Sequence, residues 1–352
     1  MKGKTLLFKD DLFLAHDPGF THPECPDRLN AIYSALIGLE SNVDLSFSVP
    51  VSADQSTLGL VHTPSYIQMV AATAGKPFES LDPDTKTSAR SYDAACLAAG
   101  SVVEGVRLIA SGQARNGFAL VRPPGHHAEA DRAKGFCLFN NVAVGAAYGL
   151  KKVGLKKILI IDWDLHHGNG TQHSFYEMDQ VLYFSIHQYP FYPGTGAMHE
   201  IGRGEGLGYT VNVPFAGGQN DQAYLAVFND ILLPIARQYQ PEMILVSAGY
   251  DIYYGDPLGS MAVSEAGFSA MTRLLVNLAE ELCGGRLMLT LEGGYDLEGL
   301  KTGVIATINE LVGKNTGGPS SELLESAFGQ PGCPGLEALK MIRQVFKDHW
   351  TF

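Results

Sequence analysis

Short apolar runs alternate along the chain with longer stretches in which apolar residues recur every three or four positions. Residues 118–121, 157–162, 181–186, 209–213, 243–247 and 287–291 are dominated by Val, Ile, Leu and Phe. Near-continuous apolar runs of this length predict strands buried on both faces, as in a parallel sheet covered by helices. Between them, residues 27–39, 91–110, 140–152, 221–238, 264–282 and 297–312 carry the helical period. Asp221 and Ser264 stand where N-caps belong. Strands alternating with helices predict an α/β fold with a mainly parallel sheet and helices on both faces. The stretch 313–321 (GKNTGGPSS) is linker-like, and the chain beyond it is too short for a domain. The expected organisation is one domain over 1–352, with 313–352 a C-terminal helical appendage.

Glycine makes up 40 of the 352 residues, about 11% against a usual ~7%, and it clusters beside polar residues directly after the apolar runs. In an open parallel sheet, ligands bind outside the carboxyl ends of the strands. The run 118–121 leads into RPPGHH, 157–162 into DWDLHHGNG, and 181–186 onward to FYPGTG. The run 243–247 ends at AGYD and 287–291 at EGGYD. One rim of the sheet therefore collects the candidate chemistry.

Composition narrows the classes. Lys and Arg number 25 against 37 Asp and Glu, a formal charge of −12, which argues against a surface that grips nucleic-acid phosphates. The five cysteines are scattered and form no C-x-x-C pair, so neither a disulfide framework nor a thiolate metal cluster is expected. No apolar run reaches the ~18 residues of a membrane span, and the start MKGKTLLFKDDLF puts acids where a signal peptide would stay apolar. A reducing, cytoplasmic address is the expectation.

Asp162, Asp164 and His166 come directly after a buried strand at spacings of two, so in extended geometry they share one side. Carboxylates that close need a cation or a proton. Asp164 and His166 offer an oxygen and a nitrogen to a metal, and Asp251, at another strand end, is the best third ligand. Three protein ligands with an open position describe a catalytic rather than a structural zinc site. The hard donor set also suits Fe2+. The pair His126–His127 comes after a stiff Pro-Pro-Gly approach and reads as acid/base machinery. Asp162 and Asn169, left over from metal binding, can each accept a ring N–H and fix a histidine tautomer. Tyr295, in GGYD, can donate to a developing oxyanion.

The segments RPPGHHAE, GFCLFNN, IDWDLHHGNGTQ, FYPGTG, SAGYDIYYGDPLG and LEGGYD, in that order, resemble the signature blocks of the histone-deacetylase-like amidohydrolases of the arginase/deacetylase fold, over about residues 16–312. The resemblance implies that Asp164, His166 and Asp251 bind zinc, that His127 is the general base and acid with His126 its electrostatic partner, and that Tyr295 polarises the carbonyl. It implies that Asp162 orients His126 and Asn169 partners His127. Asn at that position is closer to class II and bacterial members than to class I, which carries Asp. Phe136 and Tyr192 match the walls of an acyl-lysine tunnel, although Phe is more usual at the second, and Gly135 matches a glycine whose carbonyl contacts the substrate amide. Arg28, in HPECPDR, matches a residue of an internal product-release channel. The family's structural K+ or Na+ sites would fall on Asp162, Asp164, His166, Ser185 and Ile186, and on Phe175, Met178, Val181 and Tyr209.

Two other classes compete. A ureohydrolase on this fold needs a second metal, and the acids for it are missing around Asp164-Leu165-His166 and Asp251-Ile252-Tyr253. A non-catalytic binding protein on the fold would be expected to have lost a ligand, a histidine or the tyrosine, and all are present. The expected partners are acetylated lysine side chains or small acetylated amines. Leu258 stands where a polyamine-selective relative carries a glutamate that reads a distal ammonium and where class II lysine deacetylases carry leucine, so acyl-lysine is the expected substrate type, with acetylpolyamines the alternative.

Overall fold

The computed structural model describes residues 3–39, 42–314 and 335–352. Its strands are β1 (Thr5–Phe8), β2 (Leu45–Ser48), β3 (Glu79–Ser80), β4 (Lys86–Thr87), β5 (Asn116–Ala119), β6 (Ile158–Asp162), β7 (Val181–Gln188), β8 (Thr210–Phe215), β9 (Met243–Ala248) and β10 (Leu287–Leu291). Eight of these form one sheet in the order β2-β1-β5-β10-β9-β6-β7-β8, and every neighbouring pair is parallel. β3 and β4 make a separate antiparallel pair.

The six apolar runs supply β5 to β10, in which all but Gln188 and Pro214 are buried. The first two strands have no counterpart among them. β1 is four residues long, and β2 is an edge strand of alternating Ser and apolar residues with only its first residue buried. Neither gives a run that periodicity can separate from a loop.

Helices cover both faces, as strand alternation demonstrates. Thr5, Asn116 and Leu287 are register partners across β1, β5 and β10. The Thr5 hydroxyl and the Asn116 amide both donate to the Leu311 carbonyl at the end of helix Leu297–Leu311. One residue on, Met288 packs its thioether against Gly105 of helix Ser91–Ala110. Successive side chains point to opposite faces, so these two helices lie on opposite sides of the sheet.

Several helix boundaries differ from the sequence expectation. The stretch 221–238 is helix Asp221–Val227, a π-helical turn Phe228–Leu232 and helix Leu233–Tyr239. Its N-cap is Asn220, whose side chain accepts from Ala223 N. Asp221 instead takes both the backbone N–H and the hydroxyl of Ser264, while Ser264 caps its own helix by accepting from Gly267 N. Of the expected linker 313–321, residues 315–321 lie outside the described residues. Helix Leu336–Phe346 buries Leu339, Ile342 and Phe346, and Trp350 just beyond it donates to the Gly208 carbonyl at 2.9 Å, beside edge strand β8. Among the described residues, no helix is long and apolar enough to cross a membrane.

Candidate active site

The carboxyl ends of β5, β10, β9 and β6, adjacent in the sheet, deliver His126–His127, Tyr295, Asp251, and Asp164 with His166 to one place. A narrow cavity of about 100 Å³ opens there, lined by Asp84, Pro124, His126, His127, Gly135, Phe136, His166, Tyr192, Leu258, Gly293 and Tyr295.

At its floor, ligand atoms of Asp164, His166 and Asp251 lie within 4.8 Å of one another. His166 Nδ1 is 3.3 Å from Asp164 Oδ1 and 3.1 Å from Asp251 Oδ2. Two ligands about 2.0 Å from a tetrahedral cation lie about 3.3 Å apart, so the spacing fits a small divalent ion. The second oxygens are already engaged: Asp164 Oδ2 accepts from Gly293 N and Asp251 Oδ1 from Leu165 N. The charges also call for a cation. Burial first, then the neighbouring Asp164 carboxylate, push Asp251 up to about 7. His166 rises to about 9, because Asp164 and Asp251 outweigh the burial that opposes its charge.

The two histidines are electrostatically distinct although their rings are 4.0 Å apart. Burial disfavours charge on His126, but Asp164 and Asp162 overcome it and raise the ring to about 10. Its Nδ1 is 3.1 Å from Asp162 Oδ2, which also accepts from the Tyr183 hydroxyl. His127 moves the other way, well below the usual histidine range, through burial and then the neighbouring His126 and His166. Its Nδ1 is 2.8 Å from Asn169 Oδ1, which leaves Nε2 as the remaining ring nitrogen. At neutral pH the pair is one cation beside one neutral base.

Gly135 has φ +56°, and a Cβ there would sit 2.3 Å from His127 Cδ2. Only glycine lets this loop lie against the His127 ring. The next residue, Phe136, is also left-handed at φ 68°. Its ring meets Tyr295 edge-on at 6.0 Å, while Tyr192 meets His127 edge-on at 5.2 Å. The Gly135 carbonyl takes a 3.2 Å contact from Cys137 Sγ. Burial pushes the Tyr295 phenol well above the usual tyrosine range, although the Arg28 guanidinium 5.0 Å from its ring centre opposes this. Arg28 lies behind the cavity and donates to the Gly294 and Glu292 carbonyls at 2.6 and 2.5 Å.

The remaining expected residues sit elsewhere. Ser185 pairs in register with Asp162 and hydrogen-bonds His187 Nδ1 at 2.9 Å, with Ile186 next along β7. Phe175, Met178, Val181 and Tyr209 gather at the amino-terminal end of β7 and β8, apart from the triad; the Phe175 and Tyr209 carbonyls already accept from Met178 N and Tyr183 N.

Sequence reading missed four acids that hold this site. Asp84 accepts from Gly135 N at 3.1 Å and lines the cavity. Asp256 takes Leu258 N on one oxygen and Tyr295 N and Asp296 N on the other, pinning two lining segments together. Glu292 accepts from Gly125 N, His126 N and the Ser247 hydroxyl, and burial raises it to about 7. Glu24 is buried between Arg28 and Arg122. Asp84, in DPDT, reads as a turn residue; the others lie within or beside the signature motifs, which was the available cue.

Residues 22–311 match the histone deacetylase domain. Histone deacetylase 15 of Arabidopsis thaliana is 42% identical over 336 residues, covering 94% of this chain and 59% of that protein. The polyamine deacetylase HDAC10 of Mus musculus is 39% identical over 373 residues, covering 99% of this chain and 53% of that protein. The chain spans about half the length of these curated relatives. The crystal structure of the HDA15 HD domain matches with a TM-score of 0.90 at 38% identity, covering 99% of this chain and 95% of that one.

Proposed function

The chain belongs to the histone deacetylase family, and from that premise we propose that it is a zinc-dependent amidohydrolase that removes acetyl, or another short acyl group, from acyl-lysine-type amides. The observation that carries the reading is the convergence of a three-ligand set, the adjacent His126 and His127 held by Asp162 and Asn169, and the Tyr295 phenol around one narrow cavity.

Asp164, His166 and Asp251 would hold the ion, with Fe2+ the chemical alternative to zinc. A divalent ion bound there supplies Lewis acidity toward a carbonyl and toward water. His127 takes a proton at Nε2 as water attacks the acyl carbon, and returns it to the amine nitrogen as the C–N bond breaks. Acetate and a free amine result. His126 opposes build-up of positive charge on its neighbour, so His127 passes the proton on to the amine rather than retaining it. Tyr295 stays protonated and donates to the carbonyl oxygen as negative charge grows there. A structural K+ or Na+ near Asp162 and Ser185, and a second near Phe175 and Tyr209, belong to the same proposal and rest on the family resemblance. So does a cytoplasmic address, which rests on the scattered cysteines.

Leu258 supports acyl-lysine over acetylpolyamine substrates. It lines the cavity, and an apolar side chain leaves a distal ammonium without a partner. A panel of acetyl-lysine peptides, longer acyl-lysines and N-acetylpolyamines tests this. Acetyl-lysine peptides are expected to give the higher kcat/KM, and Leu258→Glu to narrow the gap. A wild-type preference for acetylpolyamines over every peptide would overturn the substrate assignment and leave the amide chemistry standing.

A further inference from the structure

An asparagine amide can be turned end for end with almost no change of shape, yet its two ends instruct a neighbouring histidine in opposite ways. Asn169 lies at that junction, buried, with Oδ1 2.8 Å from His127 Nδ1. Its Nδ2 donates to the His127 carbonyl at 3.2 Å and to Glu129 Oε1 at 2.5 Å. A carbonyl and an ionised carboxylate only accept. Turning the amide would set its oxygen against two acceptors, a buried mismatch that leaves both without a donor.

We propose that Glu129 is a positioning residue that fixes the tautomer of His127 through Asn169. With the Asn169 oxygen facing it, Nδ1 must carry the ring proton and Nε2 is left bare to accept one. With the amide turned, Nδ2 would donate to Nδ1, the ring proton would sit on Nε2, and the base would be blocked. The proposal rests on the role of His127 given above.

The surroundings hold Glu129 to this task. Its backbone carbonyl accepts from His62 Nδ1 at 2.9 Å. On the outer side its two oxygens lie 2.8 and 2.9 Å from Nδ1 of His173, a half-exposed residue on the same short helix as Asn169. The hydrogen bond to Glu129 raises the His173 pKa, and Glu200 adds to the effect while Lys134 opposes it. Gly170 explains how the two segments come so close. A Cβ there would lie 2.1 Å from the Ala128 carbonyl oxygen, so the helix rests on bare backbone between His127 and Glu129.

Glu129→Lys replaces an acceptor with a donor and should turn the amide. Adding Asn169→Asp should undo most of the damage: one carboxylate oxygen accepts from His127 Nδ1 and the other from the ammonium introduced at position 129, which outweighs the hydrogen bond lost to the His127 carbonyl. Wrong-tautomer substitution in a Ser-His-Asp triad costs about 10⁴ in kcat, and general-base loss about 10²–10⁴. We therefore expect Glu129→Lys in the zinc-loaded chain to lower kcat at least about 10²-fold at unchanged KM and metal content, and the double variant to recover most of it. Side-chain 15N spectra of labelled histidine, with the His127 signal assigned by its loss in His127→Gln, read the tautomer without turnover: Nδ1–H in the wild type and the double variant, Nε2–H in Glu129→Lys. Where Glu129→Lys does not fold, Glu129→Ala serves, with both tautomers present until Asn169→Asp is added. A wild-type tautomer in the single variants, or a double variant no better than its parent, overturns the proposal. A wild type without turnover but with the expected tautomers would sink the deacetylase reading alone.

Discussion

Glu24→Gln should destabilise the protein out of proportion to the size of the change. Glu24, Arg28 and Arg122 are all fully buried. Arg122 grips the carboxylate with Nε on Oε1 and a second guanidinium nitrogen at 2.8 Å on Oε2. Arg28 adds a contact at 3.2 Å and His16 Nε2 another at 3.2 Å. One carboxylate thus serves two buried guanidiniums, and an amide of the same shape cannot. Removing one partner of a buried pair costs about 3–5 kcal/mol, because a charge is left uncompensated. With an unfolding entropy of about 2.1 cal/mol/K per residue, 352 residues give about 0.7 kcal/mol/K and a Tm drop of about 4–7 °C. The pH dependence has a definite sign. Burial opposes ionisation of Glu24, but Arg122 and His16 overcome it and hold the acid well below its ordinary range. A depressed carboxylate contributes fully above its unfolded pKa of about 4.3 and loses that contribution as pH falls through the folded value. The gap between wild type and variant should be full at pH 7 and shrink progressively once pH falls below about 4. Because Arg28 also holds the Glu292 and Gly294 carbonyls beside Tyr295, kcat should fall as well. Calorimetry and urea unfolding decide it, and a Tm within about 1 °C of wild type would refute the ionic accounting.

Tyr295→Phe keeps the ring beside Phe136 and over Arg28 and removes one donor, so kcat should fall about 10²–10³-fold with Tm unchanged. Asp251→Ala leaves two ligands where there were three, and metal content after dialysis should fall to background. His62 is driven down to about 4 by burial; its Nε2 accepts from Asn140 N and its Nδ1 donates to the Glu129 carbonyl. A histidine depressed below its unfolded value of about 6.5 loses stability as pH falls from 6.5 toward 4, by about 3 kcal/mol in all. His62→Gln, which can keep both hydrogen bonds, should flatten the urea midpoint between those pH values.

Spacing and strand position made the centre of the site legible. Asp164 and His166 are two apart after a buried strand, and Asp251 and Tyr295 sit at the ends of neighbouring strands, so the parallel-sheet rule alone brings them near one another. Asp84, Glu24, Asp256, Glu292 and Glu129 were not legible as holders of the site, because what defines them is a partner far off in the chain. Glu24 lies inside HPECPDR, but what it holds is not visible until Arg122, 98 residues away, is folded onto it. Asp221 illustrates the local version of the same limit. It has the composition of a cap, but Asn220 takes the cap and Asp221 is drawn to Ser264. β1 escaped because its short apolar run TLLF has no glycine-rich polar cluster after it of the kind that marks the run at β5, and β2 because it lies at an edge with little of it buried.

The central claim is that one ion held by Asp164, His166 and Asp251 supports amide hydrolysis on an acyl-lysine. Stripping the protein of metal and titrating zinc back while monitoring acetate release from an acetyl-lysine peptide tests it most directly. Turnover should be absent at the start, rise linearly, and level off at one zinc per chain. Full turnover in the stripped protein, or a plateau only at two zinc per chain, would contradict the account.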